Sequence, residues 1–204
     1  MQRWQHHLLG LFSGLALSAP ALATPAYHVS VDTAALAGSA GFLDFTLGGL
    51  LDSPAAHVSI TGLSGGNANG STVLDGDAGT LAGGWQLGNL GAFNGVYQGW
   101  QFGNRLDFDL AFGGDWLSAT SGSGSTLAFK LWDTQGQTLL ARDGNGDLLR
   151  FELSAGGQVG VNRFPDASGG SPAATVAAVP EPQSVVLMLV GLAVLGWRLR
   201  RTRA

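Results

Sequence analysis

Asp143-Gly144-Asn145-Gly146-Asp147 sets carboxylate and amide oxygens at alternate positions of a loop that its glycines allow to curl. Oxygens spaced in this way can converge on calcium, with the millimolar affinity of extracellular sites. The loop is not an EF-hand, because Leu148 stands where a glycine is required and Ser154 where a bidentate glutamate would close the cage. A Gly-rich hairpin turn, which favours Asp and Asn for local hydrogen bonding, is the stronger reading of Asp143, Asn145 and Asp147. Asp75-Gly76-Asp77 reads the same way.

Asp107 and Asp109 share one face of a strand, about 7 Å apart, and glycoside hydrolysis needs two such acids flanking one bond. A solvated sheet face accounts for them more simply. Glu152, the one glutamate between the chain ends, is expected to pair with Arg150, Arg142 or Lys130. His28 and His57 are the histidines left once the first residues are set aside. Neither has a His-x-x-x-His partner, and no Gly-x-Ser-x-Gly elbow is present, so neither zinc nor a Ser-His-Asp triad is indicated. Thiol chemistry is excluded, because the chain has no cysteine. Trp85, Tyr97 and Trp100, with Phe93 and Phe102, lie in a stretch rich in Gly, Asn and Gln. Flat rings beside amides are what sugar-binding surfaces use, although filling a core is the commoner use of such rings.

The elements that position these residues read as strands. Charged residues make up 12% of the 204, and 33 are glycine, a balance that disfavours coiled coils and charged disordered chains and suits short strands joined by tight turns. Leu106, Phe108, Leu110 and Phe112 alternate with small or acidic residues. So do Leu127, Phe129 and Leu131, and Leu43, Phe45 and Leu47, while Val29 and Val31 alternate with His28, Ser30 and Asp32. Further strands are expected near 57–61, 81–87, 96–102, 139–142, 148–153 and 158–162. Turn signals such as Asn69-Gly70, Asn94-Gly95 and Gly156-Gly157 lie between or beside them. The expected fold is all-β, a β-sandwich of jelly-roll type over residues 24–166, followed by a flexible linker over 167–179.

Between residues 24 and 179 five basic residues face thirteen acidic ones, a net charge of −8, which repels phosphate backbones and argues against nucleic acid as a partner. The two ends differ from the middle. Arg3 precedes an apolar run from Leu8 to Ala19, and Ala21-Leu22-Ala23 supplies the small-x-small pattern that signal peptidase cuts. Residues 1–23 are therefore read as a Sec signal peptide with Ala21 and Ala23 at the cleavage site. At the other end Val179-Pro180-Glu181-Pro182 precedes an apolar run, Ser184–Trp197, and then Arg198, Arg200, Arg201 and Arg203. Fourteen residues rise about 21 Å as a helix, a short span flanked by cations that hold its far end in the cytoplasm.

The order Pro180-Glu181-Pro182, apolar span, arginine cluster resembles the PEP-CTERM sorting signal, a tail also labelled an ice-binding protein C-terminal domain. The resemblance covers residues 180–204. It implies recognition by an exosortase, a membrane-embedded peptidase or transpeptidase cutting near Pro180-Glu181-Pro182, with transient residence in the inner membrane. It also implies association with exopolysaccharide or biofilm surfaces. The start of the domain, Tyr27–Thr33 with Gly41–Phe45, is similar to a recurring set of PEP-CTERM proteins of unassigned function. No regular threonine ladder of the kind ice binding requires is visible. Taken together, the expectation is a non-enzymatic, cofactor-free exported protein. Its domain lies on the periplasmic side and then at the cell surface or in the extracellular matrix. Two alternatives stand beside it: a carbohydrate-binding module using Trp85, Tyr97 and Trp100, and a glycan-active enzyme.

Overall fold

A computed structural model describes residues 24–91, 93–140, 143–165, 169–180 and 191. The expected signal peptide with Ala21 and Ala23, and the sorting residues Glu181, Pro182, Arg198, Arg200 and Arg201, lie outside the described residues. Among the described residues no helix is long and apolar enough to cross a membrane, and of the Ser184–Trp197 run only Gly191 is among them.

The fold is all-β. Among the described residues ten strands, β1 (Ala26–Asp32), β2 (Ala40–Gly49), β3 (His57–Asp75), β4 (Ala78–Leu81), β5 (Gly84–Gly88), β6 (Gly95–Gly113), β7 (Ser125–Asp133), β8 (Leu149–Ser154), β9 (Gln158–Arg163) and β10 (Ala174–Ala178), join into one open antiparallel sheet. The order is β4-β5-β3-β6-β2-β7-β8-β9. The long strand β6 organises it. Its first half pairs with β2, its second half with β1, and β3 follows it along most of its length.

Sequence reading divides β6 into two strands, 96–102 and 106–112. They are one strand because Gly103-Asn104-Arg105 adds an odd number of residues, so the even-numbered side chains stay on one face throughout. Val96, Trp100, Phe102, Leu106, Phe108, Leu110 and Phe112 are all buried. β3 likewise extends far past the expected 57–61, through a Gly/Asn/Ser run with little strand propensity, because backbone pairing with β6 holds it. Its register slips between Thr61 and Thr72, where the sheet must bend. Gly65 sits in this bend with φ +83°, and a Cβ there would lie 1.7 Å from the Arg105 carbonyl oxygen, so only glycine fits.

The expected strand at 81–87 is split by a turn at Ala82-Gly83 into β4 and β5. Residues 139–142 form no strand among the described residues. Leu139 N–H donates to the Leu131 carbonyl, and a single bridge joins Trp132 to Thr138. The second half of the segment read as a linker is β10, paired with β1 from Tyr27–Ala178 to Val31–Ala174. Small uncharged residues suggested slack, but Ala174 is buried and β1 needs an outer neighbour, which backbone ladders supply regardless of side-chain size.

The inward face is closed by rings from stretches of the sheet that are not paired with one another, since Phe108 lies in the half of β6 that pairs with β1 and not with β2. Phe45 on β2 meets Phe108 on β6 at 5.1 Å, and Tyr27 on β1 meets Phe151 on β8 at 5.4 Å. Such edge-on and tilted contacts add to the free energy of burying the rings.

Candidate functional site

The inward parity of Leu43, Phe45 and Leu47 on β2, and of Leu127, Phe129 and Leu131 on β7, leaves Phe42, Asp44, Thr46, Thr126, Ala128, Lys130 and Trp132 on the outer face. The register sets these in rungs: Phe42 opposite Trp132, Asp44 opposite Lys130, Thr46 opposite Ala128, and Gly48 opposite Thr126. β8 continues two rungs, with Arg150 opposite Ala128 and Glu152 opposite Thr126.

The 143–147 loop caps one side of this face. Asp143 Oδ1 accepts hydrogen bonds from the Asn145 and Asp147 amides, as an Asx-turn does. Arg150 then ties both acids: its guanidinium donates to Asp143 Oδ2 at 2.9 Å, and its Nε to Asp147 Oδ2 at 3.0 Å. The guanidinium also lies 4.9 Å from the Phe164 ring. Asp147 is 2% exposed, and its Oδ1 has Lys130 Nζ at 3.5 Å. The Asp147 hydrogen bond, helped by the charges of both aspartates, pushes the Arg150 pKa further up. The two carboxylates weighed as calcium ligands against a simple turn thus converge on a guanidinium. No group of three His, Cys, Asp or Glu side chains suited to a metal occurs among the described residues. Glu152, expected to pair with a cation, accepts instead from Asn162 Nδ2 at 3.0 Å.

Trp85, Tyr97 and Trp100 separate. Trp85 is 9% and Trp100 5% exposed, both on the inward parity, so neither offers a ring face to a ligand. Tyr97 points outward and stacks on Phe42 with centroids 4.6 Å apart and planes 17° apart. Beside this pair Trp132 donates its indole N–H to Asp44 Oδ2 at 2.9 Å, and Lys130 Nζ lies 5.9 Å from the Trp132 ring. Burial raises the Asp44 pKa, partly offset by that indole hydrogen bond and by Lys130. Phe42 and Trp132 escaped the sequence reading. The signal was their register, because an aromatic one position out of step with Leu43 or Leu131 must face outward.

Asp107 and Asp109 lie on another outer face, beside β1. Asp109 is exposed, with His28 Nδ1 at 2.7 Å. Asp107, expected to be solvated, is buried. It accepts from Arg105 Nε at 2.8 Å, and His28 Nε2 lies 3.7 Å away. Burial acts to raise the Asp107 pKa, but hydrogen bonds from Ser30 and Arg105 and the nearby Arg105 and His28 charges outweigh it, leaving it below the ordinary value. A depressed native pKa means that the unfolded chain takes up this proton more readily. Asp107 therefore contributes stability above the unfolded value of about 3.9, and that contribution is lost as pH falls through the native value. Urea unfolding at about pH 6 and about pH 3 should show Asp107→Asn losing less stability across that window than the unsubstituted chain. Equal losses would show that the carboxylate is not held in its ionised form.

Residues 178–201 match the family model of the PEP-CTERM protein-sorting motif. The chain therefore carries a tail that implies processing by an exosortase-type enzyme, export, and membrane-associated sorting to the cell surface. Comparison with curated proteins and with solved structures finds no match to this chain.

Proposed function

We propose that this is a non-catalytic surface protein whose β domain is delivered by the Sec route and set down in an extracellular polysaccharide layer. The observation that carries the proposal is the sorting motif at residues 178–201, which begins on the last residue of β10. Val179 N–H donates to the Ala26 carbonyl at 2.8 Å, so the tail leaves the domain beside its first strand. The signal-peptidase site at Ala21–Ala23 and the exosortase site at Pro180–Pro182 then flank one paired β1–β10 ladder. Both cuts fall outside the folded sheet, and neither disturbs its core. The short apolar run after Pro182 would cross the inner membrane with its arginines in the cytoplasm, which puts the domain on the periplasmic side. The bent sheet, its two halves joined by the Phe45–Phe108 and Tyr27–Phe151 contacts, is read as a sandwich of jelly-roll type.

The test is the intact mass of the protein recovered from its native cell surface or medium. A mature chain starting near Thr24 and ending near Pro180–Pro182 is the expected result. A mass retaining Arg203 and Ala204 would overturn exosortase processing.

A further inference from the structure

We propose that the outer face of β2, β7 and β8 is a binding trough for an uncharged polysaccharide chain. This deepens the proposed function and rests on it for the polysaccharide layer itself. Thr46, Gly48, Thr126 and Ala128 form a floor of small side chains, and Phe93, Lys130, Asn145, Arg150 and Glu152 rise around it. The trough measures about 580 Å³. Through Gly48, Thr126 and Glu152 it continues into a second groove of about 510 Å³ that reaches Leu50 and Ser154. A cleft that runs across a sheet and stays open to solvent accepts the interior of a long chain rather than only its end.

Two features select the ligand. The first is charge. The ionised side chains lining the larger groove are Lys130, Arg150, Asp147 and Glu152, two of each sign, in a domain whose net charge is −8. A patch balanced in this way, on an otherwise anionic surface, favours neither an acidic nor a basic partner. What it offers is hydrogen bonding from Thr46, Thr126, Lys130, Asn145, Arg150 and Glu152, which suits hydroxyl groups.

The second is the apolar complement at the two ends, Phe93 at 60% and Leu50 at 70% exposure. Phe93 is held out rather than left loose. The buried Asn94 side chain accepts from the Asp77 and Gly91 amides and donates to the Leu47 and Gly91 carbonyls, which fixes the loop just after the ring. An exposed ring on a fixed loop binds with little ordering entropy, and its face matches the C–H face of a sugar. Past the Asp44–Lys130 rung, the stacked Tyr97 and Phe42 and the neighbouring Trp132 extend the same face. Trp85 and Trp100 take no part.

The experiment uses the full chain in a sugar-free detergent, titrated calorimetrically with maltohexaose, cellohexaose, laminarihexaose, mannohexaose and, as an acidic control, an alginate oligosaccharide. One of the neutral hexasaccharides should bind and alginate should not. Phe93→Ala should weaken binding about tenfold. Thr126→Trp, which fills the floor, should abolish it, while urea unfolding of both variants stays close to that of the unsubstituted chain. The trough assignment is overturned if no neutral hexasaccharide binds, if alginate alone binds, or if binding survives both substitutions. Failure here would leave the sorting reading intact, because that reading is decided by the mature mass. A chain that binds sugar yet keeps its tail would sink the sorting reading alone.

Discussion

Phe45→Ala should cost about 3–5 kcal/mol of folding free energy, a large share of the roughly 5–15 kcal/mol that holds a domain together. Phe45 is fully buried on β2, and its ring meets three others: Phe129 at 4.6 Å on β7, Phe108 at 5.1 Å on β6 and Trp85 at 6.3 Å on β5. Truncation removes the transfer free energy of the ring and leaves a cavity. Backbone on every side is tied into the ladder and cannot collapse to fill it. In urea the midpoint should fall by roughly 2 M with little change in slope. Phe93→Ala, an equal truncation on the surface, should move stability by no more than about 0.5 kcal/mol. A Phe45→Ala loss below about 1 kcal/mol would mean that the two halves of the sheet do not share one core.

Arg150→Ala should cost a similar amount for the opposite kind of reason. The arginine holds Asp143 and Asp147 and lies against Phe164, and Asp147 is almost wholly buried. Without the guanidinium, Lys130 is the counter-charge left to Asp147 among the described residues, and a buried carboxylate stripped of its main partner costs about 3–5 kcal/mol. Part of that figure is the penalty of the orphaned charge rather than the worth of the pair. Arg150→Ala combined with Asp147→Asn should therefore be less destabilised than Arg150→Ala alone, a coupling that a double-mutant cycle measures. The same variants bear on calcium. With Arg150 in place, calcium at about 10 mM should leave the melting temperature unchanged. In Arg150→Ala the freed Asp143, Asn145 and Asp147 oxygens should let calcium raise it. A calcium-induced rise in the unsubstituted chain would show that the loop releases its arginine for a metal.

Period-two patterning was enough to place most of the core and to set the fold class. Leu43, Phe45 and Leu47, Leu106 to Phe112, and Leu127 to Leu131 are inward in the fold because alternation in a strand admits one apolar face only. The sorting tail was equally legible. Its recognition depends on a local order of Pro-Glu-Pro, apolar run and arginines, with no partner from elsewhere in the chain. Tertiary structure decided what pairing across the sheet controls. It kept β6 continuous, drew the Gly-rich part of β3 into strand, and turned Ala174–Ala178 from apparent slack into β10, because backbone hydrogen bonding is blind to the side chains from which propensity is read. It also sorted the aromatics, sending Trp85 and Trp100 inward and setting Phe42, Tyr97 and Trp132 on one outer face. Residue type alone cannot make that distinction, since the same ring stabilises a core or faces a ligand according to its register. In the same way the 143–147 loop reads as a Gly-rich turn with calcium as the weaker alternative, and only the fold brings Arg150, a single strand position on β8, within reach of both its carboxylates.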